Sequence, residues 1–110
     1  MEIKSREEGG VQVVNMVGNL DTNTSQEAET FLNELISGGS NKILINLKEV
    51  NYMSSAGLRI LLATTKKLKG AGGELRISDL NEIVDEVFEI SGFIMIFSVF
   101  DTEEKALEGF

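Results

Sequence analysis

The sequence predicts a single α/β domain: a mixed sheet of four or five strands with an antiparallel amino-terminal edge, covered by about four helices. Three observations carry this expectation. Short apolar runs rich in Val, Ile and Leu alternate with longer segments whose apolar residues recur at spacings of three and four, giving the order β-β-α-β-α-β-α-β-α. Glycines punctuate most of the junctions. At 110 residues and 42% hydrophobic content, the chain is long enough to bury one core and short for two. Three strand-helix-strand passages imply parallel crossovers, which are almost always right-handed. Patterning leaves open whether the helices cover one face of the sheet or both, although alternation in the first strands hints that one face is less covered.

Residues Ile3 to Glu8 read as an edge strand, and Gly9-Gly10 as a two-residue hairpin turn into Val11–Val17. Val11, Val13 and Asn15 would share one face, Val14 and Met16 the other. Gly18 is expected to open a polar loop, and Thr24 with Glu27 matches a capping box. The helix after it places Ala28, Phe31, Leu32, Leu35 and Ile36 on one stripe and ends at Gly38-Gly39. Ile43–Leu47 reads as a central strand. The next helix is more apolar, with Leu58, Leu61, Leu62, Thr65 and Leu68 as its main stripe and Ala56, Ile60 and Ala63 widening it, so it should be the most buried. Lys66, Lys67 and Lys69 complement the negative end of this helix, and Gly70 ends it.

Glu74–Ile77 is a short strand with Leu75 and Ile77 on one side. Asp79 with Glu82 forms a second capping box, before a helix carrying Leu80, Ile83, Val84, Val87 and Phe88 that breaks at Gly92. A last strand is expected at Met95–Val99, and Asp101 with Glu104 would cap a terminal helix bearing Ala106, Leu107 and Phe110.

The inventory excludes much chemistry. With no cysteine and no histidine, the chain has no thiol nucleophile, no imidazole base and no His or Cys metal ligand. Asp21, Asp79 and Glu82 supply carboxylates for an enzymatic reading, but no pattern places a pair at one pocket. Eighteen acidic against ten basic residues give a net charge of −8, which repels phosphate backbones, so no direct nucleic-acid binding is expected. No apolar run approaches the ~20 residues of a membrane helix, and no basic leader precedes an apolar stretch. A soluble, cytoplasmic protein without membrane contact is the expectation.

The candidate site is the turn from Tyr52 to Arg59, after the carboxyl end of the central strand and before a helix amino end, where open α/β sheets present functional groups. Unpaired N–H groups and the helix dipole favour negative charge there. On spacing alone Ser54 is first an N-cap, accepting from the N–H of Ala56 or Gly57, with Ser55 merely tolerated beside it. The pair is neither a phosphate loop, having one glycine and no following lysine, nor a nucleophile elbow, since no histidine exists.

Three segments, VGNLDTNTSQEAETFL, NLKEVNYMSSAGLRILL and GGELRISDLNEIVDEVFEISGF, together resemble the bacterial anti-sigma factor antagonists of the STAS-domain family over nearly the whole chain. The resemblance implies a mixed sheet covered mainly by helices on one face, and no enzymatic activity. It implies a partner that is both an anti-sigma factor and a serine kinase. Binding that partner releases the sigma factor; phosphorylation of a serine at the start of the helix after the third strand dissolves the complex, and a serine phosphatase reverses it. ATP and Mg would belong to the kinase, and this chain would hold no cofactor or metal.

The family's Asp-Ser-Ser/Thr-Gly pattern falls on Ser54, Ser55, Ala56 and Gly57. Two residues depart from it: Ser54 replaces the aspartate, and Ala56 occupies the hydroxyl position that is the phosphoacceptor in some members. The resemblance therefore points to Ser55 as the phosphorylated residue, with Ser54 as the runner-up. The candidate partner-binding residues are those of the turn, Tyr52, Met53, Ser54, Ala56, Gly57 and Arg59, together with Asp21, whose loop matches one that the family uses near the serine site. Each has a plainer reading: an Asx turn or cap for Asp21, core for Tyr52 and Met53, an exposed helix position for Arg59. The alternative function is an unphosphorylated STAS interaction or sensory module of a larger regulatory or transporter-associated assembly.

Overall fold

The computed structural model describes residues 1–110. Its strands are β1 (Glu2–Glu8), β2 (Val11–Leu20), β3 (Lys42–Met53), β4 (Glu74–Ser78) and β5 (Ser98–Phe100). Its helices are α1 (Ser25–Ser37), α2 (Ser55–Gly70), α3 (Glu82–Ser91) and α4 (Glu103–Leu107), with a 3-10 turn at Phe93–Met95. The five strands lie in sequence order, β1 antiparallel to β2 and the others parallel. Gly9 and Gly10 make the hairpin with φ of 57° and 85°, left-handed values that a two-residue turn needs at both positions.

Strands β2 to β5 are added in one direction, and α1, α2 and α3 all pack on one face, so the three crossovers share one hand. That face holds a cluster of 19 buried residues built from Val14, Ile43, Ile45, Leu75 and Ile77 of the sheet and from Ala28, Leu32, Leu61, Leu68, Val84 and Phe88 of the helices. Full burial of each such large side chain contributes roughly 1.5–3 kcal/mol. The opposite face is covered by α4 alone, through a four-residue cluster of Val11, Val13, Leu44 and Ala106. Helix α2 is the most buried helix, with Leu58, Leu61, Thr65 and Leu68 inward as its stripe requires.

Several boundaries differ from the sequence pattern. The loop expected from Gly18 is strand: β2 runs on to Leu20, with register shifts against β3 on either side of Gly18 that absorb extra residues of β3. Likewise β3 continues to Met53, because β2 pairs with it throughout while β4 pairs only with Lys42–Asn46. Tyr52 and Met53 thus belong to a strand, not to a turn. Ala63 faces solvent, and Thr64 is buried instead, bonding back to the Ile60 carbonyl at 2.8 Å.

The capping boxes also shift. Thr24 makes no cap bond, because its hydroxyl donates to the Asn19 carbonyl at 2.7 Å and accepts from the Asp21 N–H at 3.0 Å. Asn81, not Asp79, caps α3, accepting from the Val84 N–H at 2.9 Å while its amide donates to the Val50 carbonyl. Thr102, not Asp101, caps α4, accepting from the Lys105 N–H at 3.1 Å. The expected strand at Met95–Val99 is a 3-10 turn followed by the shorter β5, and Ile83 is exposed instead of joining the α3 stripe.

Candidate functional site

The site grows from two strand ends. Leu20 and Met53 are register partners at the carboxyl ends of β2 and β3, so the chain leaves the sheet side by side at Asp21 and Ser54. The Ser54 N–H donates to the Leu20 carbonyl at 2.9 Å, tying the two exits together. With φ −89° and ψ 172°, Ser54 is extended, and its hydroxyl oxygen accepts from the Gly57 N–H at 3.4 Å while its carbonyl accepts from the Leu58 N–H at 3.1 Å. Ser54 is therefore the N-cap of α2, and its oxygen is already engaged.

Ser55 is the first residue of α2 and is exposed. The first turn of α2 carries no acidic residue, so nothing in that turn offsets the positive end of the helix dipole beside this hydroxyl. Arg59, one turn on, is exposed and in no ion pair. Ala56 is half-buried.

Gly57 is buried for a steric reason: a Cβ there would sit 2.8 Å from both the Leu20 side chain and the Leu20 carbonyl oxygen. The helix can approach β2 this closely only without a side chain at that point. Gly57 shapes the site from beneath and offers no contact surface.

Met53 joins Gly57 as a proposed contact residue that the structure places beneath the surface. Met53 is 1% exposed within the main core, because its position on β3 turns it toward the helix-covered face, and no partner can reach it. Tyr52, its neighbour, points outward and is 49% exposed, the only aromatic among the exposed large apolar side chains.

Asp21 closes the β2–α1 loop. Its Oδ1 accepts from the N–H groups of Asn23 at 2.9 Å and Thr24 at 3.2 Å, and its carbonyl accepts from Ser25 at 2.8 Å. This is the Asx-turn reading, and it also opens α1. Asp21, Tyr52, Ser54, Ser55 and Arg59 thus lie around one end of the sheet, while Met53 and Gly57 lie beneath it. Sequence reasoning missed Leu20, whose carbonyl and side chain set where α2 begins; only the pairing of β2 with β3 reveals it.

Comparison with known proteins places this geometry in a family. The model of the STAS domain matches residues 2–106. The anti-sigma F factor antagonist of Paenibacillus polymyxa is 31% identical over 108 residues, covering 97% of this chain and 92% of the relative. Among solved structures, an anti-sigma factor antagonist from Mycobacterium paratuberculosis superposes with a TM-score of 0.89 at 24% identity, over 96% of this chain and 90% of that one. The Bacillus cell fate determinant SpoIIAA in its phosphorylated form gives 0.73 at 20% identity, over 97% of each chain. The match along almost the full length, on the same five-stranded mixed sheet, shows that this chain belongs to the STAS domain family.

Proposed function

We propose that this chain is an anti-sigma factor antagonist, a binding module without catalytic activity that holds an anti-sigma factor and so frees a sigma factor. The end of the sheet around Ser55 is its docking surface, with Tyr52, Ala56, Arg59 and Asp21 around the serine. The anti-sigma factor is also the kinase that phosphorylates Ser55, a serine phosphatase restores the hydroxyl, and ATP and Mg belong to the kinase.

The observation that carries this reading is the division of labour between the two serines. Ser54 is engaged as the cap, whereas Ser55 is exposed at the amino end of α2. A phosphate on Ser55 would add about −1.5 to −2 charges, held by the helix dipole and within reach of Arg59. The modification therefore costs the fold little, while it sets a bulky dianion in the middle of a docking surface. The relative named as an anti-sigma F factor antagonist, and a phosphorylated form of a protein with this fold, support the assignment.

The test is phosphorylation by the cognate anti-sigma kinase with peptide mapping, alongside binding of the unmodified protein, Ser55→Glu and Ser55→Ala. Phosphate on Ser55, with affinity lost in Ser55→Glu and kept in Ser55→Ala, is the expected result. Binding that is indifferent to Ser55→Glu would sink the switch. Ala56, standing where some members carry their acceptor, favours a second reading in which the domain works by interaction alone. In that case no residue is phosphorylated, and the partner is a larger assembly that co-purifies with the chain.

A further inference from the structure

Helix α3 buries one side only. Val84 and Phe88 enter the core, where the Phe88 ring packs 5.2 Å from that of Phe97. On the adjoining side Ile83, Val87 and Ile90 recur at i, i+4 and i+7, which places them in one row along the helix. Ile83 is 58% exposed and Ile90 78%, and Met95 and Ile96, in and just after the 3-10 turn that packs on α3, are 88% and 43% exposed. Together with Tyr52 these four are all of the exposed large apolar side chains, so the exposure is concentrated here instead of scattered.

A second row runs beside the first, one residue back: Glu82, Glu86 and Glu89, all exposed. No lysine or arginine occurs between Arg76 and Lys105, so every charged side chain on α3, the 3-10 turn and the chain joining them is acidic. Two copies of the chain meeting through this face would each bring an acidic row and no lysine or arginine of this segment to pair with it, and an anionic lipid surface would be repelled.

We propose that the Ile83–Val87–Ile90 face, extended by Met95 and Ile96, docks a basic amphipathic helix of a protein partner. Apolar side chains of that helix cover the isoleucine row, and its lysines or arginines meet the row of glutamates. The face does not depend on the state of Ser55. The Asn81 tie to Val50 fixes the start of α3 against β3.

Three synthetic peptides test the proposal: one of leucine and lysine at amphipathic helical spacing, one with glutamate for lysine, and one with serine for leucine. Amide NMR shifts should map the Leu/Lys peptide to residues 83–96, and neither control should bind there. The Ile83→Ser/Ile90→Ser double variant should weaken binding about tenfold or more. The triple variant Glu82→Gln/Glu86→Gln/Glu89→Gln should weaken it too and flatten its dependence on salt. Both variants should keep the parent melting temperature, since all five side chains are exposed. Equal binding of the Ser/Lys peptide, shifts mapping elsewhere, a dimer abolished by the isoleucine variant, or binding to phosphatidylserine vesicles would each overturn the proposal.

Discussion

Gly57 shows how a single hydrogen atom in place of a methyl group positions the site. Leu20 stands against it with a side chain that can rotate away and a carbonyl oxygen that cannot, because that oxygen accepts the Ser54 N–H. Gly57→Ala therefore has to push α2 off β2, with a cost of about 1–3 kcal/mol, typical of overpacking. Thermal unfolding would read this directly. Adding Leu20→Ala should not restore stability, because the carbonyl obstacle remains; full restoration would show that only the side chain was in the way. The same residues explain what was legible in the sequence. Ser54 as a cap could be read locally, because N-capping uses one hydroxyl and an N–H three residues on. The burial of Met53 could not, because it depends on how far β2 carries the pairing of β3, and the apolar run ends at Leu47.

At the level of elements, helices are legible as periodic stripes, but the residues that cap α3 and α4 are not. In a chain this acidic, a Ser, Thr, Asp or Asn with a carboxylate three residues later arises often, so the spacing alone does not fix the cap. The end of the preceding strand decides. After β4 the chain turns at Asp79, which has φ 61° and a buried Oδ2 without a hydrogen-bond partner, and only then reaches Asn81, the residue that caps α3. Asp79 thus combines a left-handed backbone with an unpaired carboxylate oxygen, and both are unfavourable. Asp79→Gly should relieve both and raise stability by about 0.5–1 kcal/mol after the entropy of glycine is counted. Chemical denaturation of this variant against the parent decides the point; a loss of stability would mean that the aspartate holds the turn. The run before β5 differs from its pattern for a related reason: an apolar run of this length can be a 3-10 turn plus a short strand, and periodicity does not separate the two.

For the whole molecule, the unequal layers matter most. Three helices and a 19-residue cluster cover one face of the sheet, whereas α4 and a four-residue cluster cover the other. Polar anchors compensate on the thin side. Glu103, at the start of α4, pairs with the Arg6 guanidinium, whose pKa this hydrogen bond raises, and accepts from the Asn46 amide at 2.8 Å. Arg76 reaches across from β4, donating to the carbonyls of Ala106 at 2.9 Å, Glu108 at 2.8 Å and Gly109 at 3.3 Å. Its guanidinium also lies 4.3 Å from the Phe110 ring centroid and 5.1 Å from that of Phe100. The terminal helix is too short to persist without these ties. It should therefore open as a unit before the sheet does. Native-state hydrogen exchange should show Ala106 opening at a lower free energy than Ile43 to Leu47, which exchange only on global unfolding. Arg76→Met should lower the opening free energy of α4 by on the order of 2–4 kcal/mol, since three carbonyls lose a charged donor and two rings lose their cation. Arg76→Lys should recover only part of this, because one ammonium cannot serve the same planar array of acceptors. Equal protection at Ala106 and in β3 would show instead that the two layers unfold together, and that the thin face is held as firmly as the thick one.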